Sequence, residues 1–129
     1  WFDPLYDCYW FNPNPDWGPF APPTDDDPHL TIEDIDGGGP EAIGFDIPET
    51  GATYRIAVHA WQDHTLGPSI ASVRVYLLGD QIFQSQAVPL AMHDLWEVAE
   101  ITWHGWPEAS VEALAGPTGG PRIFPNTTP

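Results

Sequence analysis

One acidic stretch carries the side chains best suited to chemistry in this chain. It reads DDDPHLTIEDIDGGGPEAIGF from residue 25, with two aspartates just before three consecutive glycines and a glutamate just after them. Because glycine permits tight turns, these carboxylates can converge with backbone carbonyl oxygens on one point. Ca2+ takes about six to eight such oxygens in proteins, so the stretch predicts a calcium site. The predicted ligands are Asp27, Asp34, Asp36 and Glu41.

The same stretch has a second interpretation, a solvated and negatively charged loop, which is the usual role of a run of like charges. It does not follow the EF-hand pattern. Gly38 occupies the next alternate ligand position after Asp36, and Phe45 stands where the bidentate glutamate would be needed. A calcium site of another geometry and a solvated loop therefore both remain open.

Net charge narrows the class of partner. The 129 residues include 19 acidic side chains and 3 arginines, with no lysine, for a formal charge of -16. Nucleic acid is not expected as a partner, because phosphate binding requires a basic surface. An anionic membrane surface would repel the chain, and no apolar run is long enough to span a bilayer. A cation is the natural counterpart of such a surface.

Enzymatic patterns are not supported by the sequence. Five histidines, His29, His59, His64, His93 and His104, lack HExxH or paired Cys/His spacing, so surface or hydrogen-bonded histidines are favoured over a zinc site. The serines lack the GxSxG context of a nucleophile elbow. Two carboxylates could serve glycoside hydrolysis, but their separation is not readable from the sequence. The chain is therefore predicted not to be an enzyme, with a hydrolase kept as a third possibility.

Aromatic residues suggest an alternative binding function. Residues 1–24 mix tryptophan, tyrosine and phenylalanine with prolines, which predicts an ordered loop. Packing over the domain is the favoured role of these rings, since they would otherwise form an exposed apolar patch. The alternative is a carbohydrate-binding surface that uses Trp10, Trp17 and Trp61 as stacking platforms for a glycan.

Alternating apolar and polar residues predict an all-β fold. Strands are expected over 29–35, 42–47, 53–61, 70–78, 81–86 and 95–103, with a hairpin turn at Gly79-Asp80 and a bulge in the last strand. Short strands separated by Gly and Pro turns favour an antiparallel β-sandwich of jelly-roll or immunoglobulin-like type. Residues 1–106 are expected to form this single domain. Residues 107–129, rich in Pro, Gly and Thr, are expected to be a tail or linker, with one further strand near Val111.

Five segments occur in this order along the chain: DCYWFNPNPDWG, DDDPHLTIEDIDGGGPE, TYRIAVHAW, GPSIASVRVYLLG and LWEVAEITW. Together they resemble the YfaP-like domain, a family of secreted and envelope-associated bacterial proteins without an assigned activity. The resemblance extends over residues 1–106 and implies an extracytoplasmic β-sandwich module, often part of a larger polypeptide. Ala42 stands where the family often has Asn, so only Asp34, Asp36 and Glu41 match the family's acidic turn.

The family pattern also begins with a strand, Asp-x-Asp-Leu-His, that this sequence lacks before its aromatic loop. A sheet short of one strand has an open edge, which favours β-augmentation by a neighbouring subunit or by another part of a longer precursor. The alternative is that the loop of residues 1–24 covers that edge. Cys8 is the single cysteine, so a disulfide within the chain is excluded.

These observations together predict a calcium-stabilised, secreted or cell-surface β-sandwich module, a fragment of a larger protein that acts in adhesion, assembly or scaffolding.

Overall fold

The computed structural model describes residues 3–18, 27–33 and 39–128. Within these residues the secondary structure consists of ten β-strands without a helix, and every strand pair is antiparallel. The predicted all-β, antiparallel class is confirmed, and a two-layer sandwich stays a prediction. The chain divides into two compact units, Trp1–Glu49 and Thr50–Thr128.

The first unit contains β1 (His29–Ile32) and β2 (Ala42–Gly44). The second contains β3 (Thr53–His59), β4 (Ser69–Ala71), β5 (Arg74–Leu77), β6 (Asp80–Gln84), β7 (Val88–Leu90), β8 (Leu95–Gly105), β9 (Glu108–Ala113) and β10 (Arg122–Phe124).

In the first unit, β1 and β2 form a two-stranded ladder with an irregularity at Thr31. The hydroxyl of Thr31 donates to the carbonyl of Ala42 at 3.0 Å, which stabilises this irregular step. At the other end of the ladder, His29 lies opposite Gly44, and its Nε2 is 2.7 Å from the place that a Cβ on residue 44 would occupy. Only glycine allows this close approach of the imidazole to the neighbouring strand.

The second unit is organised around β8, the longest strand. β3 pairs along one side of β8, while β9 and then β10 pair along the other side. The ladder between β3 and β8 shifts at Val98, because Ile56 lies opposite Ala99 and Ala57 lies opposite Glu97. This is the bulge that the sequence predicts for the last apolar strand, and it changes which side chains face the core.

Burial on β8 explains why this strand is central. Trp96, Val98 and Ala99 are buried, and they form one apolar cluster with Val88 and Leu90 of β7. Successive residues of a strand normally face opposite sides, so adjacent Val98 and Ala99 both reach the core through the bulge. The core therefore lies between β7 and β8.

The region after Trp106 differs from the expected tail or linker. It provides both β9 and β10, joined by an excursion in which Ala115 bridges to Pro121. The amide of Gly116 donates to the carbonyl of Gly120 at 2.8 Å, so the glycines close a turn and do not form a flexible tether. The Pro and Gly content thus reflects this turn, and the flanking residues complete one side of β8.

Residues 70–78 were expected to form one strand, and they contribute to two short strands, β4 and β5. β4 pairs with β7, and β5 pairs with β6 in the predicted hairpin. The two loop residues are Leu78 and Gly79, with φ of 55° and 87°. Positive φ at both positions is what a type I′ hairpin turn requires, so the turn lies one residue earlier than the sequence predicts.

Candidate functional site

The predicted calcium ligands are divided by the strand pairing of the first unit. Glu41 immediately precedes β2, at the end of the ladder where Ile32 lies opposite Ala42. Asp27 precedes β1, at the opposite end of the ladder, where His29 lies opposite Gly44. The length of β1, about 10 Å at roughly 3.3 Å per residue, separates these ends.

Two oxygens on one calcium ion lie within about 5 Å of each other, because each Ca–O distance is about 2.3–2.6 Å. The ladder therefore does not bring Asp27 and Glu41 together at one ion. The other two predicted ligands, Asp34 and Asp36, lie outside the described residues. Glu41 is therefore the one predicted ligand described at the end of the ladder where Ile32 lies opposite Ala42.

Asp27 stabilises the aromatic loop in the structure. Its Oδ1 accepts a hydrogen bond from the backbone amide of Trp17 at 2.7 Å. The indole of Trp17 packs edge-on against Phe45, with 5.6 Å between ring centroids, and its Nε1 donates to the carbonyl of Tyr6. Trp17 is thus held by internal contacts on its backbone, its ring and its ring nitrogen, which favours packing over sugar stacking for this residue.

Trp10 and Trp61 are the more exposed of the three candidate stacking residues. Trp10 lies edge-on to Tyr9 and Phe11, with centroid distances of 6.3 Å and 5.6 Å. Trp61 follows β3, is 46% exposed and lies 6.0 Å from the ring of His93. Trp10 belongs to the first unit and Trp61 to the second.

The most complete charged network of the described residues is centred on Glu97 of β8. Its side chain is 3% exposed, and its Oε1 accepts from Nη1 of Arg55 at 3.1 Å. Nε of Arg122 lies 3.0 Å from Oε2 without the alignment of a hydrogen bond, so this second contact is electrostatic. Arg55 also donates to Glu100 at 2.6 Å. The network therefore connects β3, β8 and β10.

Two acids and two arginines balance one another in this network. The hydrogen bond that Arg55 donates to Glu100, together with the charge of Glu97, raises the pKa of Arg55, so the guanidinium stays charged. A carboxylate buried to this degree is stable only when it is paired. The arrangement fixes three strands relative to one another.

A second cluster lies where β3 ends and β8 begins. His59 and His93 stack with 6.4 Å between centroids and an 8° angle between planes, and Trp61 lies beside both rings. Nε2 of His59 is 2.7 Å from the carbonyl oxygen of Thr127. The amide of Thr127 in turn donates to the carbonyl of His93 at 2.8 Å. This cluster attaches the backbone at Thr127 to the sheet.

Burial lowers the pKa of His59, and the charge of nearby His93 adds to the effect, whereas the hydrogen bond to Thr127 opposes it. The dominant cause is loss of hydration, which disfavours the charged imidazolium. His59 is thus favoured as a neutral ring that donates from Nε2, because a carbonyl oxygen only accepts.

A cleft of about 330 Å3 opens beside the turn that joins β9 to β10. Its lining residues include Phe83, Val88 and Trp96, together with Gly120 and Pro121 of the turn. Val88, Trp96 and Val98 of the core cluster thus border this cleft.

Metal-ligand groups, membrane-spanning helices and the cysteine thiol are the other features of interest. Among residues 3–18, 27–33 and 39–128, no group of three or more His, Cys, Asp or Glu side chains is arranged to hold a metal ion. In the same residues, no helix has the length and apolarity needed to cross a membrane. Burial raises the pKa of the Cys8 thiol, whose sulfur contacts the carbonyl of Pro13 at 3.6 Å, so the thiolate is disfavoured.

The network around Glu97 was not predicted from the sequence. The sequence feature that could have indicated it is the acid Glu97 next to Trp96 and Val98 in the largely apolar run LWEVAEITW, in a chain with three arginines. With strict alternation, the side chain of Glu97 would lie on the other face of the strand from Trp96 and Val98 and would be exposed to solvent. The pairing with Arg122 becomes apparent only when β10 is known to lie beside β8.

No family model matches the chain, and searches of curated proteins and of solved structures also find no match.

Proposed function

We propose that this chain is a non-enzymatic, extracytoplasmic β module that binds Ca2+ at its acidic turn and acts in adhesion, assembly or scaffolding. The proposed ligands are Asp34, Asp36 and Glu41, together with carbonyl oxygens of the glycines between them. Asp27 stabilises the aromatic loop through Trp17 and is not included in this set.

The distribution of charge is the observation that supports this proposal. Two of the three arginines are paired with Glu97 and Glu100, and this network is neutral. Seventeen acids therefore remain against one arginine, Arg74, so the whole formal charge of -16 lies outside the network. Self-repulsion of this size destabilises a compact state, and a bound cation would offset it. Hard cations such as Ca2+ are the ones that carboxylate and carbonyl oxygens prefer.

Thermal unfolding in matched buffers tests the proposal. We expect a higher Tm in CaCl2 than in EDTA, with NaCl added to equal ionic strength so that general screening is the same in both samples. At a free concentration 100 times its Kd, a ligand of the folded state adds about 2.7 kcal/mol to stability. A Tm that is unchanged by Ca2+ at equal ionic strength would contradict calcium binding.

A matched pair of variants locates the site. Asp34→Asn combined with Asp36→Asn should abolish the rise in Tm with Ca2+. Asp80→Asn combined with Glu112→Gln removes the same charge elsewhere and should preserve that rise. An equal loss of the calcium effect in both double variants would show that net charge, and not the acidic turn, is responsible.

Assembly by strand addition is the second part of the proposal. In the described part of the chain, the sheet order runs from β10 through β8 and ends at β3. An edge strand of seven residues is long enough to pair with another chain. Light scattering across a concentration series checks this, since a monomer at every concentration, with no bound peptide, would oppose self-assembly.

Glycan binding is the alternative function, and the exposure of Trp61 beside two imidazoles favours it. An aromatic face with adjacent hydrogen-bonding rings suits a sugar. Titration of tryptophan fluorescence with a glycan panel should show saturable changes that Trp61→Ala removes and Trp106→Ala preserves. No response across the panel would argue against this function.

A further inference from the structure

A long two-stranded ribbon carries almost none of the charge of this chain. Residues 64–93 include one arginine, Arg74, and one acid, Asp80, so the formal charge of -16 belongs to the other residues. Within this stretch, β4 pairs with β7 and β5 pairs with β6. The amide of Ser85 donates to the carbonyl of Val73 at 2.9 Å and joins the two pairs. Residues 69–90 are here called the ribbon.

One face of the ribbon packs against the core of the second unit. Several of its apolar side chains belong to the core cluster or pack against it: Ala71, Val73, Phe83, Val88 and Leu90. Neighbouring residues along a strand point to opposite faces of a sheet. Ile70, Arg74 and Gln84 each adjoin one of these inward residues, so they lie on the outer face. The pairing agrees, because Arg74 and Gln84 lie opposite one another.

The outer face and the tip of the ribbon expose large apolar side chains to solvent. The exposed fraction is 76% for Ile70, 58% for Tyr76, 60% for Leu78 and 40% for Ile82. At roughly 200 Å2 for a fully exposed large side chain, these residues offer about 450 Å2 together. Apolar patches of about 300–600 Å2 on a monomer are often functional. The ribbon is therefore a candidate contact surface.

The backbone conformation of Leu78 is an independent indication of a contact. Its φ of 55° lies in the left-handed region, which is unfavourable for leucine and accessible to glycine and asparagine. Strain of this kind is concentrated at functional sites. An exposed leucine in this conformation combines strain with apolar surface in water, and burial against another molecule would offset these costs.

The charges of the ribbon match a second copy of the same chain. Arg74 lies opposite Gln84 at the base of the hairpin formed by β5 and β6, and Asp80 lies opposite Leu77 next to its tip. Neither Arg74 nor Asp80 has an ion pair among the described residues. A two-fold axis through the middle of the hairpin places the base of one copy against the tip of the other. Arg74 of each copy then faces Asp80 of the other copy.

The ribbon is also the part of the sequence at which two strongly acidic chains can approach each other. All but one of the 19 acids lie outside residues 64–93. A contact through other parts of the chain would bring like charges together, which is unfavourable for association. At physiological ionic strength, charges separated by more than about 8 Å are largely screened, so the charges at the contact itself decide the outcome.

We propose that the ribbon is a self-association surface, at which two copies of this chain dock about a two-fold axis with reciprocal contacts between Arg74 and Asp80. The proposal is independent of calcium binding at the acidic turn and of strand addition at β3. The apolar area offered by each copy is about half of the 800 Å2 per partner of a standard interface, so the dimer should be transient.

Sedimentation equilibrium in EDTA measures the dimer without a contribution from calcium. Asp80→Arg should weaken dimerisation by about tenfold or more, because arginines of the two copies then face each other. This change also makes the chain less negative by two charges. Glu112→Arg makes the same change at an exposed position of β9, and it should leave the affinity unchanged or raise it. If Asp80→Arg raises the affinity as Glu112→Arg does, net charge alone controls association and the proposal is wrong.

Exchange of the two charges tests the two-fold geometry. Arg74→Asp alone should weaken the dimer, whereas Arg74→Asp combined with Asp80→Arg should restore the wild-type affinity at the wild-type net charge. An equimolar mixture of the two single variants should also dimerise, because opposite charges then meet at both contacts. Failure of either the double variant or the mixture to dimerise would overturn the reciprocal pairing.

An apolar substitution tests the same surface without changing its charge. Tyr76→Ser should weaken the dimer by about tenfold, since tyrosine is among the residues that dominate binding at interfaces. Leu5→Ser, at a position of the first unit that is 68% exposed, should have no effect. Circular dichroism checks that each variant is folded. A wild-type chain that stays monomeric up to about 1 mM, or equal effects of Tyr76→Ser and Leu5→Ser, would refute self-association through the ribbon.

Discussion

Replacing Glu97 with glutamine should be among the most destabilising single charge changes in this chain. The side chain is 3% exposed and contacts Arg55 and Arg122, which are 49% and 39% exposed. A hydrogen bond to a charged group contributes roughly 1.5–3 kcal/mol, and removal of one partner of a fully buried ion pair costs roughly 3–5 kcal/mol. Because water reaches both arginines, part of that cost is recovered by hydration. We therefore expect a loss of about 2 kcal/mol.

Urea denaturation monitored by tryptophan fluorescence measures this loss, and a melting curve should show a fall in Tm of roughly 4–10 °C. Glu112→Gln is the matched control. It makes the same charge change at an exposed position of β9, where Glu112 lies opposite Glu100. Because like charges directly opposite one another destabilise a sheet, this control should be neutral or slightly stabilising.

A double-mutant cycle with Arg122→Met isolates the contact between β8 and β10. If the ion pair is the cause, the two changes should be non-additive by about 1 kcal/mol, since either one alone removes the interaction. The loss should also persist in 1 M NaCl, because a buried pair is poorly screened. Equal stabilities of Glu97→Gln and Glu112→Gln, or additivity in the cycle, would refute the reasoning.

Three further changes test the fold. Leu90→Ala, at a side chain 1% exposed in the core, should cost about 2–5 kcal/mol in urea denaturation, whereas Leu66→Ala, 90% exposed, should cost less than about 0.5 kcal/mol. Glu112→Lys should raise stability by roughly 0.2–1 kcal/mol by placing an opposite charge across from Glu100, and an equal gain with Glu112→Gln would attribute it to lost repulsion alone. Leu78→Asn should raise Tm, because asparagine is preferred to leucine at the positive φ of 55° in this hairpin turn, and a lower Tm would contradict that account.

Much of the second unit was predictable because its strands follow period-two alternation. In β3, Tyr54, Ile56 and Val58 are half-buried and alternate with exposed Arg55 and Ala57, as the sequence predicts. The bulge on β8 was also predictable, since the apolar residues of LWEVAEITW change phase within the strand. Such patterns are reliable where one face of a sheet is buried, because a slip of one residue would reverse every side chain.

Short strands were harder to predict for the same physical reason. β7 has three residues, one of them Pro89, and β10 has three residues that follow a proline. A segment of that length has too few alternations to define a period, and proline next to glycine favours turns. Their positions are set by long-range contacts, above all Leu90 in the core and Arg122 at Glu97.

The candidate calcium site shows a different limit of sequence reasoning. Asp27 and Glu41 belong to one acidic stretch, yet antiparallel pairing of β1 with β2 directs them to opposite ends of a ladder. Proximity in sequence therefore predicted a shared site that strand direction separates. The cluster of His59, His93 and Thr127 shows the reverse case. Its residues are far apart in the sequence, yet they meet at the start of β8.

The placement of the arginines explains how a strand as short as β10 can have a defined register. Three residues bury little apolar surface, so a shift of one residue along β8 would cost little from packing alone. In the observed register, Arg122 lies opposite Glu97 and supplies positive charge to a carboxylate that is otherwise buried. A shifted register would move that charge away and leave Oε2 of the buried carboxylate without its cation, while Arg55 would still contact Oε1. This weaker pairing of a buried charge opposes the shift, which the few contacts of a three-residue strand do not. The ion pair thus specifies position more than it adds stability, which is why a chain with so few cations places two of them here.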